Sequence, residues 1–150
     1  MKQPVYAFFA LALLIIISPA ASALSPVNKT TIGGLAIKGY DPVSYFTDDA
    51  AVKGDKRFEI KHGGAKWRFA TQAHLDLFKA NPEKYAPQYG GYCAWAASQG
   101  YTANVDPEAW KIINEKLYLN YDKSVQARWE RDARVNIGMA DSHWPVLLKK

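Results

Sequence analysis

Arg57-Phe58-Glu59-Ile60-Lys61-His62-Gly63-Gly64-Ala65-Lys66-Trp67-Arg68-Phe69-Ala70 is the stretch on which the fold turns. From Arg57 to His62, apolar Phe58 and Ile60 alternate with charged residues, and from Lys66 to Ala70 the alternation resumes through Trp67 and Phe69. A period of two on both sides of a Gly63-Gly64 pair predicts an antiparallel hairpin with one apolar face. Downstream, Trp110 to Ile113 and Lys116 to Leu119 flank Asn114-Glu115 and predict a second hairpin, on a turn pair weaker than Asn-Gly.

Helical spacing fills the intervals. Thr71 is placed to cap a helix whose stripe is His74, Leu75, Leu77 and Phe78, and Asn81-Pro82 interrupts it and restarts toward Tyr85. Upstream, Leu35-Ala36-Ile37 predicts a short first strand. Gly39-Tyr40-Asp41-Pro42 then ends it, with Asp41 as N-cap and Pro42 opening a brief helical turn through Phe46. Pro87 to Gly91 reads as a loop, Tyr92 to Ser98 as a short helix ended by Gly100, and Asp106-Pro107 as a turn. From Asp122 to Ala140 the apolar residues Val125, Trp129, Ala133, Ile137 and Ala140 recur at helical spacing, which predicts one longer amphipathic helix, with Trp144 to Leu148 as a docked apolar tail. The fold class expected is α+β: one small domain with two β-hairpins, several short helices and a longer C-terminal amphipathic helix.

The first residues read differently. Lys2, the apolar run from Val5 to Ile17, Pro19 and the small-x-small Ala21-Ser22-Ala23 predict a signal peptide over residues 1–23, cleaved near Ala23, with the domain over 24–150. The run is shorter than the roughly 20 residues that span a bilayer as a helix, so no membrane span is expected after signal removal, and the expected location is periplasmic or secreted. The formal net charge is +5. Its basic residues are interleaved with acids, as in Arg128-Trp129-Glu130-Arg131-Asp132, which is a solvated surface and not a nucleic-acid footprint.

Cys93 is the one cysteine of the chain and stands in Gly90-Gly91-Tyr92-Cys93-Ala94-Trp95. An internal disulfide is therefore impossible, and four fates remain: a buried small apolar group, a metal ligand, a redox centre or an intermolecular bridge. A place at the start of a short helix favours thiolate, but a redox cycle would need a thiol partner protein, because no resolving cysteine exists. There is no Gly-rich phosphate loop, no His-Glu-x-x-His and no Gly-x-Ser-x-Gly, which points away from hydrolase and nucleotide chemistry and toward a binding module more than an enzyme.

Gly39-Tyr40-Asp41-Pro42-Val43-Ser44-Tyr45-Phe46, Trp67-Arg68-Phe69-Ala70, Phe78-Lys79-Ala80-Asn81-Pro82-Glu83-Lys84-Tyr85 and Tyr89-Gly90-Gly91-Tyr92-Cys93-Ala94 together resemble the YHS domain family. The resemblance is closest to its exported members of about this length, extends through Lys116-Leu117-Tyr118-Leu119-Asn120 and Trp129, and implies heavy-metal handling, with copper or zinc as the ion. In the short form of the family a cysteine follows Asp-Pro-Val, another follows the aromatic-x-Phe strand, and a third comes four residues later. Here those places hold Ser44, Ala70 and His74. The metal ligands expected are thus His74 and Cys93, with Tyr40, Asp41, Tyr45 and Tyr92 in support and a metal ion or a thiol protein as partner. Some exported members are described as selenoproteins, with selenocysteine at the place matching Cys93, and the alternatives are therefore a thiol-dependent redox or metal-detoxification protein using Cys93, and an interaction module with Cys93 buried.

Overall fold

The computed structural model describes residues 23–150; the leader expected over 1–23 lies outside them except for Ala23. Two antiparallel hairpins and six α-helices follow one another along the described residues. The first hairpin pairs β1 (Asp55–His62) with β2 (Ala65–Phe69), in a register that sets Ile60 opposite Trp67 and His62 opposite Ala65, with an irregularity between Asp55 and Glu59. Gly63 and Gly64 both have positive φ, the conformation a two-residue turn of this kind demands. Alternation then sends Ala65, Trp67 and Phe69 inward, while Arg68 meets Glu59 across the strands at 2.8 Å.

The second hairpin is β3 (Asp106–Ile113) against β4 (Lys116–Asn120), with Lys111 opposite Tyr118. Asn114 and Glu115 make its turn with φ of 50° and 60°. β4 is buried on both faces: Leu117 and Leu119 join one apolar cluster with Val43, Trp67, Phe69, Phe78 and Cys93, and Tyr118 joins another with Tyr89, Trp129 and Ala140. That two-sided burial makes β4 the partition between two aromatic cores.

The helices are α1 (Ser44–Thr47), α2 (Gln72–Ala80), α3 (Pro82–Tyr85), α4 (Ala94–Ser98), α5 (Lys123–Arg131) and α6 (Ala133–Leu147). Thr71 caps α2 by accepting the His74 N–H, as expected, and Asn81 caps α3 by accepting that of Lys84. Among the described residues no helix is long and apolar enough to cross a membrane.

Four local expectations are corrected. Leu35 and Ala36 form only isolated bridges, to Lys66 and Lys29, and Ile37–Gly39 is a 3-10 turn, not the end of a strand. Asp106-Pro107 begins β3 in place of a turn. The stretch 122–140 is two helices, because at Asp132 the backbone leaves helical geometry (φ −135°, ψ 47°) and the Asn136 side-chain amide donates to the Trp129 carbonyl at 2.9 Å. The segment 144–148, expected as a tail, continues α6 through Leu147.

Buried tyrosines make the fold sensitive to alkali. Tyr45 is 1% exposed and its hydroxyl donates to the Pro107 carbonyl at 2.9 Å; burial, and then the nearby Glu108 charge, hold its pKa well above the ordinary value. Burial and a hydrogen bond to Asp141 do the same for Tyr89. The folded state keeps protons that the unfolded chain releases near pH 10, so this contribution is complete below about pH 10 and is lost as pH rises beyond it. Thermal melts should show a midpoint that falls progressively above about pH 10. A midpoint constant to pH 11 would contradict the tyrosine assignment.

Candidate functional site

Asp41 is the organising group. Its residue is fully buried, and its two carboxylate oxygens accept four hydrogen bonds from three parts of the fold. Oδ1 takes the N–H groups of Val43 at 2.8 Å and Ser44 at 3.3 Å, which is the capping role expected for it at α1. Oδ2 takes the Ala70 N–H at 2.8 Å, at the end of β2, and His74 Nδ1 at 2.6 Å, in the first turn of α2. A carboxylate surrounded only by donors is satisfied as the ionised, acceptor-only form.

That arrangement fixes the histidine. The carboxylate can only accept, so Nδ1 carries a hydrogen and Nε2 is the nitrogen left to act. Nε2 lies 3.2 Å from Thr47 Oγ1 and 3.9 Å from Asp48 Oδ1, at the exposed end of α1, and the His74 side chain is 13% accessible. An imidazole oriented by a buried carboxylate, with its second nitrogen against the Thr47 hydroxyl near the surface, has the geometry of a metal ligand or a proton acceptor once that contact is exchanged.

Cys93 has other surroundings. It is 1% exposed and precedes α4; its sulfur lies 3.7 Å from Asn120 Oδ1, which also accepts the Trp95 N–H at 3.1 Å. Burial pushes the thiol pKa up, outweighing the backbone N–H groups of Ala96, Tyr121 and Trp95 that favour thiolate. The expectation that the helix start would lower this pKa is corrected: desolvation wins over the short helix. Cys93 and His74 share no hydrogen-bond partner, and among the described residues no group of three or more His, Cys, Asp and Glu side chains is arranged to hold a metal ion.

The other supporting residues are spread out. Tyr45 packs edge-on against Trp110 at 5.2 Å, Tyr92 donates to the Ser25 carbonyl at 3.0 Å, and Tyr40 bridges to Lys53 through its backbone. Of the residues named from the sequence, Asp41 and His74 are the pair in direct contact. Thr47 and Asp48 were not singled out, and nothing in their spacing marks them; they reach His74 only because α1 and α2 fold onto the same carboxylate.

Residues 43–89 match the family model of the YHS domain. That segment, under a third of the 150-residue chain, is what is similar to the YHS domain. The matched segment holds Ser44, Thr47, Asp48, Ala70 and His74 and stops at Tyr89, so Cys93 lies beyond it. No curated protein and no solved structure matches the chain significantly. Within the YHS segment, the three places at which the resemblance puts cysteines, Ser44, Ala70 and His74, all donate to the Asp41 carboxylate. The Ser44 hydroxyl is turned to the carbonyls of Asp41 and Ala50, at 2.8 and 2.9 Å, and Ala70 offers no ligand atom. Where soft thiolates would converge, this chain has a carboxylate–imidazole pair.

Proposed function

We propose that this YHS-like domain is an exported metal-handling module that takes a divalent ion of the zinc or copper(II) class as exchangeable cargo at the rim of His74. The observation that carries the reading is the 2.6 Å contact between buried Asp41 and His74 Nδ1, which leaves Nε2, now against the Thr47 hydroxyl, as the nitrogen that would serve as a ligand. Asp48 supplies the neighbouring carboxylate, and the remaining coordination positions stay open to water or to a donor group of a partner. Imidazole with carboxylate suits divalent zinc and copper, whereas copper(I) is selected by thiolates, which this rim lacks. Two protein donors make a site of modest affinity, as a carrier that must release its ion requires. Cys93, expected as the second ligand, is left out of this donor set because its sulfur faces Asn120.

The test is a zinc(II) and copper(II) titration of the purified mature protein. The wild type should bind more tightly than an unrelated control; His74→Ala should lose at least about tenfold, and Asp41→Asn about 10- to 100-fold, as outer-sphere carboxylates ordinarily do. Cys93→Ser should bind as the wild type does. Binding no tighter than the control, or binding lost in Cys93→Ser and kept in His74→Ala, would overturn the reading. A second reading, an interaction module with Cys93 as a core residue, is favoured by the 1% exposure of that thiol and gains if no ion binds.

A further inference from the structure

On the face formed by α3, α6 and the 3-10 turn Gln88–Gly91 lies a cleft of about 470 Å³, within the range that holds small ligands. Asp141, Trp144 and Pro145 come from one side of α6, at the i, i+3 and i+4 spacing that puts them together, and Tyr89, Glu83 and Lys116 line the rest. Trp144 packs against Tyr89 and Tyr92 with ring centroids 6.0 and 5.9 Å apart. The ring is therefore held by its neighbours while remaining partly exposed, and Trp144 lines the cleft.

Tyr89 is unusual in its backbone as well as its place. It sits at φ 55°, a left-handed conformation that is strained for a non-glycine residue, and Gly90 beside it is pressed against the Pro26 carbonyl. The strain carries the ring under α6, where its hydroxyl donates to Asp141 Oδ1 at 2.9 Å. Burial and that bond keep the hydroxyl protonated, so it remains a donor to Oδ1 of Asp141, a residue that lines the cleft. Two carboxylates against one lysine give the cleft a negative balance on a chain whose formal charge is +5.

We propose that this cleft binds a small organic cation of the quaternary-ammonium type, with the cation over Trp144 and balanced by Asp141 and Glu83. Aromatic faces attract cations through their quadrupole, and a spread, weakly hydrated ammonium gives up little water on entering. The site is separate from the His74 rim and its test is independent of metal.

Choline chloride and its uncharged isostere 3,3-dimethylbutan-1-ol serve as probes, titrated into the ¹⁵N-labelled mature protein in EDTA while the indole N–H of Trp144 is followed by NMR; Trp144→Phe assigns that resonance. Choline should shift it saturably, and the uncharged isostere should bind at least about tenfold more weakly. Asp141→Asn keeps the acceptor for Tyr89 and should weaken choline about threefold or more, while Lys116→Ala, which removes the internal cation, should tighten it. Equal binding of the two probes, or no saturable shift up to about 50 mM choline, a range that reaches contacts of under 2 kcal/mol, would overturn the proposal.

Discussion

Asp41→Ala should destabilise the domain by about 3–5 kcal/mol, the largest single-residue effect we expect outside the aromatic core. The substitution removes one side chain but orphans four donors: the N–H groups of Val43, Ser44 and Ala70, and Nδ1 of His74. A lost cap alone costs about 1 kcal/mol, and each buried polar group left without a partner adds about 1–3 kcal/mol, less whatever water can enter. Asp41 is fully buried, as are Val43, Ser44 and Tyr45 after it, so little water can. Asp41→Asn keeps the shape and the two α1 bonds but turns an NH₂ toward the Ala70 N–H or His74; about half the loss should remain. Chemical denaturation of the two variants with His74→Ala and the double variant Asp41→Ala/His74→Ala checks this. A coupling energy above about 1 kcal/mol between positions 41 and 74 is expected, and a cost below about 1 kcal/mol for Asp41→Ala would show that the carboxylate does not organise the site.

The same residue shows what a sequence can and cannot disclose. Asp41 before Pro42 announces a cap, because capping is decided within four residues, and the Asp41 Oδ1 bonds are the ones local reasoning supplies. The Oδ2 bonds join position 41 to 70 and 74, and no local period encodes a contact across that separation. The hairpins were legible for the same reason the cap was: Phe58, Ile60, Trp67 and Phe69 around Gly63-Gly64 leave one register in which the apolar residues share a face. The helix from 122 to 140 misleads because its apolar spacing runs straight through Asp132. What breaks it is the Asn136 amide capturing the Trp129 carbonyl, a polar contact that periodicity does not register. Cys93 was misplaced by a local argument too. The short helix after it favours thiolate, and only the tertiary burial by Trp67, Leu117 and their neighbours reverses the sign.

That reversal leads to the second large effect. Alkylation of Cys93 by iodoacetamide should be at least about a thousandfold slower in the native protein than in guanidinium at the same pH, because a thiol 1% exposed reacts only through opening of the core. The native rate should also fail to follow the thiolate fraction of an activated cysteine. With a pKa raised by burial, lifting the pH from 7 to 8 increases reactivity only through the exposed, unfolded fraction, whose thiol titrates near 8.5. A redox centre demands the opposite: a thiolate near neutrality and a path to it. Native alkylation within tenfold of the unfolded rate, levelling off below pH 8, would therefore restore the redox reading of Cys93 and remove the ground for assigning the chemistry to His74 alone. The stability consequence has the same sign. A folded-state thiol with a raised pKa favours folding fully below about pH 8.5 and loses that contribution as pH climbs, so Cys93→Ala should flatten the onset of alkaline destabilisation while leaving the later tyrosine-driven fall in place.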